Sequence, residues 1–461
     1  MYKIDYKNPV TVYFIGIGGI SMSGLAMVLK DRGFSVTGSD RSENEQVLAL
    51  KDAGVKVFVG ESADHLTAAG HVDLVVYTAA VHPDNPEFVK AKELGLPMLT
   101  RAELLGQIMT HYHLPIAVSG THGKTTTTGM ISKVLLASSM DPTISIGGNL
   151  KDIGGNIRIG KSDYFITEAC EYTNSFLSFF PGVGIILNID EDHLDFFKDL
   201  ADITNSFRKF AGLIPDNGTL VINKDIPDLD EFTKGLKCNI LTYGFDDNAD
   251  YYPTDISYDA FGCASFHVNR KGKDGFDLTL KVPGKHNIGN ALASIACSDC
   301  FDIETSNIVD GLSSFTGTGR RFEYKGTIDG VTIIDDYAHH PTEIAATLSA
   351  AKKYPHKRIW CVFQPHTFTR TKALMDEFAS ALLPADKLII ADIYPARETD
   401  NLGISSRTLK EKIESLGHEC YYFPSFEEIE KFLLQNCTKD DMLITMGAGD
   451  VVNIANDLIG Q

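Results

Sequence analysis

From Ile116 to Thr128 the chain reads Ile-Ala-Val-Ser-Gly-Thr-His-Gly-Lys-Thr-Thr-Thr-Thr. A short apolar run, a tight glycine turn and a lysine followed by threonines predict a buried strand over 116–119, a loop, and a helix over 125–138. A strand–turn–helix of this kind belongs to a parallel α/β sheet, with the turn at the carboxyl end of the strand. Its chemistry is that of a phosphate cradle. Backbone N–H groups and the helix N-terminus face anionic oxygens, Lys124 reaches the outer phosphates, and Thr125 offers a hydroxyl to Mg²⁺. Gly120, Thr121, His122, Gly123, Lys124, Thr125 and Thr126 are therefore candidate nucleotide-phosphate contacts. The general motif has a glycine six residues before its lysine, and here that position is Val118, so the loop is a shortened one framed by Gly120 and Gly123. Such a loop names a nucleotide, not a reaction.

The rest of the chain is consistent with that fold class. Short β-branched runs alternate with helical patterns almost throughout, which predicts stacked βαβ units. A first unit runs through a strand over 11–15, a helix over 21–32 and a strand over 34–38, with further strands near 55–59, 73–78 and 97–99. The stretch 250–282 alternates in strand period between turns and predicts antiparallel strands appended to a parallel sheet. Strands over 332–335, 358–363, 387–391 and 442–446 form a last doubly wound unit. Breaks at 110–115 and 313–319 divide 461 residues, too many for one core, into three α/β domains at 1–110, 111–316 and 317–461. The first and third are Rossmann-like; the central one is a mononucleotide-binding sheet with extra antiparallel strands.

Composition excludes several classes. A net charge of −19 argues against nucleic acid or an anionic membrane as partner, because both require an extended basic face. No apolar span is long enough for a membrane helix, and the start reads as a strand and turn rather than a signal peptide. Eight scattered cysteines imply free thiols and a cytoplasmic location, with Cys297 and Cys300 as core thiols rather than a metal knuckle.

Other candidate residues cluster at strand ends, where ligands of open α/β sheets collect. A strand over 164–167 ends at Glu168. A strand over 184–187 is followed by Asn-Ile-Asp-Glu-Asp-His-Leu-Asp, which carries His193 and ends at Asp195. Glu168 and His193 can meet a metal ion from adjacent strands; the oxygen ligand suits Mg²⁺ and the histidine is a less usual one. In the first unit, Gly16, Gly18 and Gly19 follow a strand and open a helix, so the backbone can approach a diphosphate. Ser21 stands where the third glycine of the usual fingerprint would be, and Asp40 ends the next strand where a ribose hydroxyl is commonly gripped. That pattern does not distinguish a nicotinamide dinucleotide from a UDP-sugar.

In this order the motifs resemble the Mur ligases of peptidoglycan synthesis, over essentially the whole chain. The run Gly120–Thr126 is similar to that family's ATP site. The stretch Thr167-Glu-Ala-Cys-Glu-Tyr-Thr-Asn-Ser-Phe-Leu177 and the segment 187–195 are similar to its metal loops. The run Gly284-Lys-His-Asn-Ile-Gly-Asn290 is similar to its adenine-contacting motif, which implicates Asn287 and Asn290. The C-terminal third resembles the members that add L-alanine, through Gly319-Arg-Arg-Phe-Glu323, Asp335-Asp-Tyr-Ala-His-His-Pro-Thr-Glu343, Phe363-Gln-Pro-His-Thr-Phe-Thr-Arg-Thr371, Ile393-Tyr-Pro-Ala-Arg-Glu398 and Met446-Gly-Ala-Gly-Asp450.

The resemblance implies that ATP is contacted by the loop with Asn287, Asn290, Arg320 and Asp335, and that Thr125, Glu168 and His193 hold Mg²⁺. It implies that the UDP-sugar lies against Gly16, Gly18, Gly19, Ser21, Asp40 and Thr78, and that Tyr337, His339 and Arg370 line the amino-acid pocket. Lys124, Glu168, His193, His339 and Arg370 would then serve the reaction. The implied activity couples ATP to amide formation between L-alanine and the lactyl carboxylate of UDP-N-acetylmuramate, through an acyl phosphate, in a monomer or homodimer. Two departures stand out. Cys170 and Asn174 occupy positions where the family more often has Asp, and Thr367 replaces an arginine. No carbamylated lysine is assigned near Arg208 and Lys209. Taken one by one, His339 and His340 also fit a helix-start pair bonded to backbone, Arg320 and Arg321 a solvated hinge, and Cys170 a packed thiol. A ligase that joins a whole peptide, a dehydrogenase using the first glycine turn, and a nucleotide switch remain alternatives.

Overall fold

A computed structural model describes residues 2–78, 81–194, 196–396 and 398–460. Asp195 and Arg397, which belong to two of the motifs above, lie outside the described residues. Three sheets follow one another along the chain, of five, ten and six strands. In the first, five parallel strands lie in the order Lys56–Val59, Ser35–Asp40, Thr11–Ile15, Leu74–Tyr77 and Met98–Thr100. The order reverses at Thr11–Ile15, and the first glycine turn follows that strand directly.

The second sheet has Leu114–Ser119 near its middle, between Val183–Ile186 and Tyr164–Glu168, all parallel. Their inward residues are fully buried: Ile116, Val118, Ile166 and Ile185 are 0% exposed, as a sheet covered by helices on both faces requires. The antiparallel extension expected at 250–282 is present as Tyr251–Tyr258, Cys263–Arg270 and Lys273–Pro283. It joins the parallel part through one pairing, Tyr243 with Tyr251. The opposite edge is a hairpin, Thr143–Leu150 with Gly155–Arg158, whose glycines kept it from reading as strand. In the third sheet, Val331–Asp336, Met442–Met446, Ile359–Phe363, Lys387–Ile390 and Cys420–Tyr422 run parallel, with Glu323–Ile328 antiparallel at the edge.

The interfaces between these units differ in kind. One apolar cluster runs from the first sheet into the second, joining Leu104, Leu105 and Ile108 of helix Arg101–Met109 to Phe176, Phe179, Phe207 and Phe210. Each such side chain contributes about 1.5–3 kcal/mol when buried. Among the described residues, the apolar clusters of the last unit contain none before Phe322. That unit meets the central one largely through polar contacts, with Arg370 on Asp192, His340 on the Glu191 carbonyl and Thr342 on Asp190, beside one aromatic pair, Phe261 with Tyr354 at 5.0 Å. An interface with so large a share of polar contacts is the kind across which domains move.

Candidate functional site

The glycine–lysine loop is shaped by its glycines and by the neighbouring strand ends. Gly120 and Gly123 take φ of +142° and +85°, the second in a left-handed conformation that a side chain resists. A Cβ at Gly123 would lie 2.8 Å from Asn290 Oδ1. Asn188, beyond the adjacent strand, accepts from the His122 N–H at 2.8 Å and donates to its carbonyl at 3.0 Å. The Asp190 N–H donates to Thr121 Oγ1 at 2.9 Å. Helix Lys124–Ala137 then directs its unpaired first-turn N–H groups at the loop, the arrangement that attracts phosphate. Lys124 Nζ curls back to the carbonyls of Gly120 and Thr121 and lies 3.0 Å from Glu171 Oε2. Burial alone would favour losing the proton, but Glu171 outweighs it and holds the ammonium charged.

Thr125 Oγ1 donates to Glu168 Oε2 at 3.1 Å, and the Gly147 N–H caps the other carboxylate oxygen. His193 sits at φ +53°, stacked on Tyr172 with centroids 4.5 Å apart. Its Nε2 is 3.8 Å from Glu171 Oε1 and 3.7 Å from Asp192 Oδ2. Burial keeps this imidazole below its ordinary pKa, hence neutral and with a lone pair available. Thr125 with Glu168, and Glu171 with His193, line the same stretch of the phosphate loop, and their mostly oxygen donors with one neutral imidazole are of the chemistry that would suit a hard divalent ion. Among the described residues, the trio of His, Cys, Asp or Glu side chains whose ligand atoms lie close enough to share an ion is a different one, His122, Asp190 and His340. There, however, the imidazolium of His122 already supplies the positive charge.

Two cavities open on the loop. One, of about 360 Å³, is bordered by His122, Gly123, Phe245, Asn287 and Asn290 together with Arg321 and Asp336 of the last unit. Asn290 donates to Asn287 Oδ1 and Asn287 to the Pro283 carbonyl, so the two amides are fixed in the wall. The other, of about 1160 Å³, is shared by all three domains. Ile20, Ser23, Glu45 and Gln46 border it from the first domain, Lys124, Thr125, Glu168 and His193 from the second, and Arg320, Tyr337 and His339 from the third.

Not every nominated residue reaches these spaces. Gly16, Gly18, Gly19, Ser21, Asp40 and Thr78 border neither cavity; Gly19 and Ser21 flank Ile20, which borders the larger one. Asp40 Oδ2 accepts from the Gly18 N–H at 2.8 Å, so the carboxylate pins the turn. The Thr78 methyl packs against Gly16. Asp335 is 0% exposed, with Arg320 and Thr445 bonded to its two oxygens at 2.9 and 2.7 Å. The carboxylate that borders a cavity is its neighbour Asp336, pushed up to about 6 by burial. Arg370 grips Asp192 Oδ1 with Nε and a terminal nitrogen, at 3.0 and 2.9 Å, and therefore lies behind the cleft wall. His339 is neutral, lowered to about 3 by burial, and its Nδ1 lies 3.0 Å from the Tyr337 carbonyl. Thr367, at φ +68°, caps the helix that carries Arg370. Cys170 is an inert thiol raised to about 11 by burial.

Sequence reasoning assigned no role to Glu171, Asp192, Glu343 or Asn188. Each acts on a partner distant along the chain, and the only local signal was an excess of acids in two motifs.

Comparison with known proteins places these features in a family. The Mur ligase catalytic-domain model matches residues 11–113, the Mur ligase middle-domain model 118–298, and the Mur ligase glutamate-ligase-domain model 320–449. A UDP-N-acetylmuramate–L-alanine ligase from Lachnospira eligens is 57% identical, and one from Agathobacter rectalis 56%, each with 100% of both chains covered. Among solved structures, the UDP-N-acetylmuramate–alanine ligase of Thermotoga maritima is similar with a TM-score of 0.82 at 30% identity, covering 98% of both chains. A murein peptide ligase from Psychrobacter arcticus gives 0.73 at 26% identity over 98% of both. With a family model over each of the three sheets and relatives more than half identical aligned from end to end, the chain belongs to the Mur ligase family.

Proposed function

We propose that the chain joins L-alanine to the lactyl carboxylate of UDP-N-acetylmuramate while ATP becomes ADP and phosphate, a step of peptidoglycan precursor synthesis in the cytoplasm. Residues 1–110 receive the UDP-sugar, 111–316 the ATP, and 317–461 the amino acid. The observation that carries this reading is the larger cleft, where the phosphate loop, Glu168, His193, Tyr337, His339 and the edge of the first domain share one space. The relatives at least half identical carry this activity in their names. No helix among the described residues is long and apolar enough to cross a membrane; in this reading the chain is a monomer or homodimer acting on small molecules.

A carboxylate has no leaving group at neutral pH, so it must be activated. A carboxylate oxygen attacks the γ-phosphorus, the bond to the β,γ-bridging oxygen breaks, and ADP leaves. The amine of alanine then attacks the acyl carbon, the C–O bond to phosphate breaks, and the nitrogen gives up a proton. Loop amides and Lys124 face the charge that develops on the transferred group, the arrangement that contributes most in such reactions. Mg²⁺ held by Thr125, Glu168 and His193 would neutralise phosphate charge. A proton on His339 Nδ1, toward the Tyr337 carbonyl, leaves Nε2 to take up the amine proton. Asn287 and Asn290 offer amide edges to the base, and Arg320 stiffens Tyr337 from 5.0 Å over its ring.

The test is phosphate release by purified protein with Mg²⁺, ATP and UDP-N-acetylmuramate. Release that requires L-alanine and yields the amide is expected. Release without the UDP-sugar, or no amide, refutes the reading. The likeness to a murein peptide ligase makes a muropeptide-type tripeptide the proper competitor, and its preference over L-alanine would shift the assignment to that reaction.

A further inference from the structure

One polar cluster at the site has no part in the chemistry just described. The His122 ring, between the two loop glycines, points into the seam between central and C-terminal domains. Its Nε2 lies 3.3 Å from Asp190 Oδ2 and its Nδ1 3.3 Å from Glu343 Oε1. A neutral imidazole has a single N–H, so a carboxylate at each nitrogen calls for the doubly protonated ring. Burial opposes that charge and Lys124 repels it, yet Asp190 and Glu343 outweigh both and hold the pKa at about 9. The neighbouring His340, with ring centroids 4.8 Å away, is lowered by burial and stays neutral.

Glu343 lies in helix Pro341–Ala351, 221 residues along the chain from His122. It is anchored in its own domain by the His339 N–H at 3.1 Å and by Arg321 at 3.6 Å. On the other side, both backbone groups of His122 are held by Asn188, so a pull on the imidazole acts on the loop itself. Thr342 Oγ1 donates to Asp190 at 2.8 Å and His340 Nε2 to the Glu191 carbonyl at 2.8 Å, which fixes the helix start against the same loop pair. The contact spans a domain boundary across which no apolar cluster is shared among the described residues.

We propose that Glu343 is a positioning residue for the phosphate loop, reaching across the domain seam to His122 so that the loop takes its phosphate-receiving shape when the C-terminal domain is closed. This rests on reading the loop as the ATP site. Closure and nucleotide binding then favour one another by the same factor, because each stabilises the state in which this contact is made.

The test compares Glu343→Gln, Glu343→Asp, His122→Asn and the double variant Glu343→Gln/His122→Asn. Glu343→Gln keeps the side-chain volume and removes its charge. It is expected to raise the KM for ATP about tenfold while the KM for the UDP-sugar moves less than about twofold. Glu343→Asp recovers part of the loss, and the double variant is no worse than the poorer single one. Hydrogen exchange in the ligand-free chain should quicken in a peptide covering residues 119–128 in both Glu343→Gln and His122→Asn. Unchanged exchange there, or single effects that simply multiply in the double variant, overturns the proposal. Should the Glu343 variants fold poorly, His122→Asn leaves the Arg321 and His339 contacts in place and decides the matter by exchange alone. A wild-type protein that forms no amide sinks the proposed reaction, whereas the exchange result still stands for or against the positioning role.

Discussion

Replacing Lys124 with Met removes a charge from a site built to hold one, and the structure separates the two consequences. The ammonium lies 3.0 and 3.3 Å from the oxygens of Glu171, a residue 2% exposed. At an effective dielectric of about 20 a pair 3 Å apart attracts by roughly 5–6 kcal/mol. Desolvation of both ions offsets much of that. Truncating one partner leaves the other buried and uncompensated, which costs about 3–5 kcal/mol. For a domain of this size that lowers Tm by roughly 6–20 °C. Turnover should fall by about 100- to 1000-fold or more, because the donor aimed at the transferred group is gone. In the double variant Lys124→Met/Glu171→Gln no buried charge is orphaned. Tm should return to within a few degrees of wild type, short only by about 1–2 kcal/mol for the carbonyls of Gly120 and Thr121 left without their donor. Turnover should stay lost. Scanning calorimetry and phosphate release on the same samples make the comparison. If turnover returns with stability, Lys124 is only a structural partner of Glu171; if Tm does not return, Glu171 is not its partner.

The protonated His122 carries a pH signature. Its folded pKa of about 9 exceeds the ordinary 6.5, so its stabilisation is complete below 6.5 and lost as pH rises through 9. The Tm difference between wild type and His122→Asn should be largest at acidic pH and vanish by alkaline pH; a difference that grows with pH would contradict the assignment. Gly123→Ala places a Cβ at φ +85° and 2.8 Å from Asn290 Oδ1. About 1–2 kcal/mol of backbone strain plus the displaced amide should weaken ATP binding about tenfold or more by calorimetry. Normal affinity would mean that the loop relaxes freely. Arg370→Leu should orphan Asp192 and loosen the last domain, with a larger radius of gyration in scattering and a loss of about 3–5 kcal/mol. An unchanged profile and Tm would place the domain contact elsewhere.

Much of this molecule is legible along the chain because local forces settle it. The strand Met442–Met446 has the predicted bounds, and Leu114–Ser119 and Lys124–Ala137 begin within two residues of them, since period, glycine and lysine act over a few residues. The hairpin Thr143–Arg158 escaped because it has glycines where strand signals were sought and is held by a neighbouring strand. Asp335 and Asp336 show the limit at single-residue scale. They are adjacent and chemically identical, yet one is locked on Arg320 and the other borders a cavity. The unassigned partners show it at domain scale: Asp192 and Arg370 are 178 residues apart, and His122 and Glu343 are 221 apart.

The chain alone thus determined the α/β class, the phosphate loop and the residue types at each strand end, because those rest on hydrogen bonds and periodicities a few residues long. Only the tertiary structure decided which charges meet, and so that Lys124 is held by Glu171, that His122 is an imidazolium, and that Arg370 and Asp192 meet across the seam of the last domain. The reason is physical. A charge state depends on burial and on neighbours brought within a few ångströms by the fold, and no spacing along the chain records either.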